Sequence, residues 1–350
     1  MPQTPTSSEL AVSVPPQQQG PLLSVRGLKT QFRLDEGLLR AVDGVSLEVQ
    51  RGQTIGVIGE SGCGKSMLAR SLMGLVRPPG RVAGGELLLD TGEGPVDIAK
   101  LDPTGAQMRR IRGRHIAMIF QEPMTSLSPV HTIGAQIAEL ALLHRTHDRA
   151  EARTVTEDAL ARVGMPDPRR AYGQYPHELS GGLRQRAMIA MALTGQPELL
   201  IADEPTTALD VTVQWQILRL LADLKSQLGM SMLYITHDLG VTAQIADTIA
   251  VMYLGRIVEF GRAVDIFERP LHPYTRKLMQ AAPAMGKRQA RLDVIRGTVP
   301  VPINLPRECP FRSRCDHAFE ACAQLPALKE VEPGHTVRCF LHHQEVERDD

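Results

Sequence analysis

Aromatic residues make up only 4% of this 350-residue chain, with a single tryptophan, and no apolar run approaches membrane-spanning length, which takes about 20 residues. Such apolar stretches as "ELLIAD" and "MLYIT" have the length of buried strands. Neither charge sign is in excess: 39 Lys and Arg balance 39 Asp and Glu. That balance removes the simplest electrostatic argument for a nucleic-acid partner. The opening MPQTPTSSELAVSVPPQQQG lacks both a positive n-region and an apolar h-region, so it is no secretory signal. Its Pro, Gln and Ser content predicts a disordered tail over residues 1–20. A cytosolic chain is expected, serving any membrane only by docking onto something else.

Apolar residues reach 43%, enough for a sizeable core, and the length suits about two domains. Cysteines number five, Cys63 and four more within the last 42 residues. In a reducing compartment such a cluster suggests metal before disulfides.

"TIGVIGESGCGKSMLARSL" reads as an apolar strand, a glycine-rich turn and a helix. The turn fits G-x-x-x-x-G-K-[ST] over 59–66, comprising Gly59, Glu60, Ser61, Gly62, Cys63, Gly64, Lys65 and Ser66, and Met67 follows. Backbone N–H groups of such a loop and the next helix N-terminus cradle phosphate oxygens. Lys65 would reach the β and γ phosphates, and the Ser66 hydroxyl would ligate Mg²⁺. Cys63 fills a variable position, where an exposed thiol would be open to oxidation or alkylation.

"PELLIADEPTTALD" supplies a second strand, presenting Asp203 at its C-terminal edge as a magnesium ligand. Glu204 follows and is placed to polarise an attacking water as a general base. "GMSMLYITHDLG" ends a third strand at His237, a candidate γ-phosphate contact, and "HIAMIFQEP" ends a fourth at Gln121, a candidate for the metal and the attacking water. "LSGGLRQR" is a further cradle: Ser180, Gly181 and Gly182 precede a helical pattern whose positive end can take a phosphate.

In this order these motifs, with "TALD" ending at Asp210, resemble the ATPase subunits of ABC transporters over residues 22–283. The resemblance implies an α/β P-loop NTPase fold: a RecA-like core, an antiparallel β subdomain and a helical subdomain over about 123–185. It places the nucleotide-binding domain at 21–283 and a small cysteine-containing extension at 284–350. It implies two subunits paired head to tail, each ATP held between one subunit's Lys65 loop and the other's Ser180 turn. Asp210 joins that nucleotide interface, and Phe32 in "LKTQFRLDEG" is the candidate adenine stacker. The usual fifth signature residue is Gln, and Leu183 replaces it. That substitution takes one hydrogen-bonding option from the site lent to the partner.

"HPYT" at 272–275 and the flanking sequence resemble the dipeptide and oligopeptide importer branch, closest to its D-type subunit. The implied function is hydrolysis of ATP to power peptide import from the cytoplasmic face of the inner membrane. Implied partners are a second ABC ATPase, two transmembrane permeases and an extracytoplasmic peptide-binding protein, without nucleic acid. Nickel or glutathione import by the same machinery is an alternative, as is a soluble ABC ATPase acting on nucleic acid. Cys309, Cys315, Cys322 and Cys339 are separated by 5, 6 and 16 residues, wider than most zinc sites. The branch implies a [4Fe–4S] cluster there, with zinc or unmetallated thiols as alternatives. Such a metal staple would help a proline- and charge-rich segment to fold.

Overall fold

The computed structural model describes residues 20–122, 126–207, 209–281 and 295–343; the tail expected over 1–20 lies almost wholly outside them. Two sheets organise the chain. The first is antiparallel and takes β1 (Leu23–Leu34), β2 (Gly37–Val49), β4 (Gly80–Asp90) and β5 (Pro95–Asp97) in the order β2-β1-β4-β5. The second has eight strands. Its parallel part comprises β3 (Thr54–Ile58), β6 (Ile116–Ile119), β7 (Leu199–Asp203), β8 (Ser231–Ile235) and β9 (Thr248–Tyr253), ordered β9-β3-β8-β7-β6. Every residue of β3, β6, β7 and β8 is buried, which explains why they read as unbroken apolar runs rather than alternating ones.

Helices α1 (Lys65–Leu72) and α2 (Ala106–Arg114) pack with the first sheet in one apolar cluster. A second cluster is built by α3 (Ile133–His144), α4 (Arg149–Arg162), α5 (Pro168–Gly173), α6 (Gly181–Leu193) and α7 (Val211–Leu228). In α3 the buried residues Ile133, Ile137 and Ala141 recur every four positions, the inner stripe of an amphipathic helix. Thr132, Asp148, Asp167, Ser180 and Asp210 cap these five helices with side-chain oxygens.

The C-terminal segment is sewn onto both sheets. β10 (Arg256–Arg262) pairs antiparallel with β9, then with β12 (His335–Val337), which pairs with β11 (Lys329–Glu332). On the other sheet, Pro302 and Asn304 exchange backbone hydrogen bonds with Arg40 and Leu38 of β2. A third apolar cluster joins Tyr253, Tyr274, Ile295, Cys309, Phe311 and Cys322. α8 (Leu239–Ile245), α9 (Ala263–Glu268) and α10 (Pro273–Gln280) add Leu239, Ile266 and Tyr274 to that cluster.

Glu259 of β10 is fully buried and accepts from the N–H groups of Leu271 and His272, at 2.7 and 2.8 Å, and from His335 Nε2 at 2.8 Å. These bonds hold its carboxyl below the ordinary range against the opposing effect of burial. His272 caps α10 by accepting from Tyr274 N at 3.0 Å. Burial pushes its imidazole pKa down to about 4 from 6.5. A base with a depressed folded pKa stabilises fully above its unfolded value and loses that contribution as pH falls towards the folded one. Stability is therefore expected to fall by about 3 kcal/mol between pH 6.5 and pH 4. Thermal melts across that window check it: His272→Asn, which keeps a capping acceptor, should flatten the slope. An unchanged slope in that variant would count against His272 as the source.

Candidate active site

The phosphate loop leaves β3 and enters α1 through two backbone positions that only glycine fits. Gly59 has φ 150°, and a Cβ there would lie 2.3 Å from the Met252 carbonyl oxygen. Gly64 has φ 104°, and a Cβ would lie 2.3 Å from Ala41 O. Lys65 is buried, and its Nζ donates to Gly59 O at 2.7 Å and Glu60 O at 3.1 Å. Its ammonium is thus already held inside the loop's curl. Ser61 and Gly62 are exposed at the loop crest.

Two loop residues differ from a simple cradle. Cys63 is 1% exposed, and burial pushes its thiol pKa up, so the accessible, reactive thiol considered from sequence is corrected to an inert one. Glu60 turns away from the loop mouth. Its N–H donates to Tyr274 Oη at 2.8 Å, and its carboxylate is held by Arg314.

Ser66 and Asp203 meet across the α1 and β7 ends, the Ser66 hydroxyl donating to Asp203 Oδ1 at 3.0 Å. Asp203 is buried, and desolvation raises its pKa against the lowering effect of Ser66. A magnesium ion fits this pair: both supply hard oxygen atoms, and a cation would restore the charge that burial disfavours. Gln121 takes another direction, its Nε2 donating to Glu204 Oε2 at 3.1 Å. It joins Glu204 rather than the Ser66 and Asp203 pair.

Glu204 follows β7 with φ 48°, a left-handed conformation uncommon outside glycine, which turns its side chain off the strand line. Three groups converge on Oε2: Gln121, the Thr207 hydroxyl at 2.8 Å, and His237 Nδ1 at 3.4 Å. Oε1 has no protein hydrogen bond among the described residues, which leaves it for water. Thr207 was missed from sequence; its only signal was its place in "EPTTALD".

Phe32 is half-buried beside Gly80, where a Cβ would fall 2.3 Å from its ring. It lines a cleft of ≈ 810 Å³ with Met67, Arg70, Phe120, Gln121 and Asp203. Phe32 and Met67 thus share one cleft with Asp203.

Ser180 and Gly181 are exposed, with Ser180 Oγ accepting from Leu183 N at 3.4 Å. Gly182 lies against α7, since a Cβ there would fall 3.0 Å from Val213. Asp210 accepts from Val213 N at 2.9 Å, so both cradle and aspartate crowd the start of α7. Their hydrogen bonds among the described residues are local, and none of these reaches the Lys65 loop. Leu183 packs against the apolar cluster of the helical layer, so the residue that departs from the usual signature serves packing.

The four C-terminal cysteines do converge electrostatically: Cys339 is influenced by Cys309, Cys315 and Cys322. Yet no three His, Cys, Asp or Glu side chains among the described residues are grouped to hold a metal ion. The iron–sulfur or zinc site expected from the sequence is therefore not supported by the described residues. This segment is fastened by β11 and β12, by Phe311 packed at 5.4 Å and 5.3 Å from the Tyr253 and Tyr274 rings, and by Arg314. Burial raises the Cys309 thiol to about 11 and the Cys339 thiol to about 12, so these two remain protonated in the apolar layer.

The ABC transporter family model matches residues 42–207, and the model of the oligopeptide/dipeptide transporter C-terminal region matches 258–322. A probable peptide ABC transporter ATP-binding protein of Sinorhizobium fredii is 48% identical, covering 93% of this chain and 96% of that one. The oligopeptide transport ATP-binding protein OppD of Salmonella typhimurium is 43% identical over 97% of this chain and 99% of its own. Among solved structures, a dimeric bacterial ABC transporter cassette has a TM-score of 0.60 and 25% identity, covering 69% of this chain and 98% of that one. No helix among the described residues is long and apolar enough to cross a membrane. The loop over 59–66, the carboxylates at the end of β7 and the full-length relatives agree: the chain belongs to the ABC transporter family, in its branch of oligopeptide and dipeptide import ATPases.

Proposed function

We propose that the chain binds and hydrolyses ATP to drive uptake of di- and oligopeptides, working from the cytoplasmic face of the membrane. The carrying observation is the convergence of Gln121, Thr207 and His237 on one oxygen of Glu204, beside the Ser66 and Asp203 pair. Lys65 and the loop amides bind the phosphates, with the glycines keeping that approach open. Magnesium bound at Ser66 and Asp203 would shield phosphate charge. Thr207 and Gln121 hold Glu204 by Oε2, so that Oε1 accepts a proton from the attacking water. His237, 64% exposed, stands where it can donate to the departing phosphate. Phe32 offers its ring face to the adenine.

Ser180, Gly181, Gly182 and Asp210 form an exposed surface for the nucleotide of a second ATPase subunit. The dimeric state of the solved cassette supports that arrangement. The domains follow: 21–283 for nucleotide, with helices over about 123–185 receiving the permeases, and 284–350 as the extension. Two permeases and an extracytoplasmic binding protein complete the assembly, and only that binding protein and the permeases touch the peptide. The test is reconstitution of the chain with its permeases and second ATPase in proteoliposomes. Di- or tripeptide with its binding protein should stimulate phosphate release severalfold and accumulate inside. Stimulation by nickel or glutathione but not by peptide would refute the solute.

A further inference from the structure

An acidic side chain in a phosphate-binding loop is an electrostatic liability, because the loop must receive a polyanion. Glu60, the second residue of the loop, is such a group. Its carboxylate is gripped by Arg314, 254 positions away, with Nη1 to Oε2 at 2.7 Å and Nη2 to Oε1 at 2.9 Å. This is the planar fork that only arginine presents. Arg314 itself is 5% exposed and is fixed from behind: Nε donates to Arg296 O at 2.9 Å, Nη2 to Gly297 O at 3.2 Å and Nη1 to Tyr253 Oη at 3.3 Å. Its Cζ lies 5.8 Å and 6.0 Å from the Tyr253 and Phe311 ring centres. A second tether comes from "HPYT". Tyr274 is fully buried, and its hydroxyl accepts the Glu60 N–H at 2.8 Å. The loop between Gly59 and Gly64 is thus held from outside by two residues of the C-terminal region.

We propose that Arg314, with Tyr274, is a positioning residue for ATP binding: it neutralises Glu60 and fixes the phosphate loop in its receptive shape. The C-terminal region thereby forms part of the nucleotide site without touching nucleotide. Loss of the guanidinium leaves Glu60 as an uncompensated negative charge beside the triphosphate, worth roughly tenfold in affinity. The proposal rests on the ATP site described above, so its test carries a control for that site.

The experiment titrates an N-methylanthraniloyl ATP analogue into the full chain, native or substituted. Lys65→Ala should abolish binding; if it does not, the site assignment fails first. With that control in place, Arg314→Met should weaken binding about tenfold and raise the KM for ATP with kcat changed less than twofold. Arg314→Lys, which keeps charge but not the fork, should fall between. The decisive variant is E60Q/R314M. Removing the orphaned carboxylate should return affinity to within threefold of native. If Arg314 only props the backbone at 295–297, the double variant will bind as weakly as R314M, and the proposal is overturned; native affinity in R314M overturns it too. Should R314M not fold, Glu60→Gln alone decides: affinity at or above one third of native supports neutralisation, and any larger loss refutes it.

Discussion

Glu204→Gln should bind ATP like the native chain and lower kcat between 10² and 10⁴-fold, the usual contribution of a positioned general base. The amide is isosteric, so the left-handed backbone at φ 48° and the packing of β7 stay as they are. What disappears is the proton-accepting capacity of Oε1. An amide oxygen directed at Oε2's position can still accept from Thr207 and Gln121. With turnover blocked and binding intact, two subunits joined through ATP should remain joined, and size-exclusion chromatography with ATP should show a dimer that native protein does not retain. Phosphate release and analogue binding, measured on one preparation, separate the two effects. Turnover within tenfold of native would remove Glu204 from the base role and leave its three-fold anchoring without a catalytic purpose.

The phosphate loop and the two carboxylates were legible in the sequence because their chemistry constrains residue type locally. A loop passing 2.3 Å from where a Cβ would meet Met252 O or Ala41 O admits only glycine, and Lys65 follows at a fixed offset. The parallel strands were legible for a similar reason, since burial on both faces leaves "TIGVI" and "SMLYI" no polar positions to alternate. Thr207 was not legible: a threonine near a strand end is ordinary, and only its 2.8 Å bond to Glu204 distinguishes it. "HPYT" was read as a family marker, while its work is tertiary. Pro273 starts α10, His272 caps it, and Tyr274 reaches back to Glu60 across 214 positions. The cysteines were misread by counting. Four thiols near one another in sequence suggested a metal to hold the tail, whereas strands too short to announce themselves, "KEVE" and "HTV", hold it instead. Pairing of such strands is decided by the edge that β10 offers, which no local pattern records.

Glu259→Ala should be the most destabilising single change in the C-terminal half, costing about 3–5 kcal/mol. The carboxylate is 0% exposed and collects three donors, the N–H groups of Leu271 and His272 and the Nε2–H of His335. Nε2 must carry the proton because an ionised carboxylate only accepts. Truncation strands all three in a space water does not reach, which is why the loss exceeds that of one exposed bond. The damage is also directional. His272 positions α10 and Tyr274, and Tyr274 Oη receives the phosphate-loop N–H of Glu60, so a slackened Glu259 site should weaken ATP binding as well. Differential scanning fluorimetry should show a fall in Tm of about 10 °C, allowing about 2–4 °C per kcal/mol for a chain of this size. Saturating ATP should recover part of that loss by mass action. Glu259→Gln, which keeps an acceptor but meets at least one donor with its own N–H, should fall between the two. A Glu259→Ala protein that melts within 3 °C of native would mean that the three donors find other acceptors and that β10 does not anchor the "HPYT" turn.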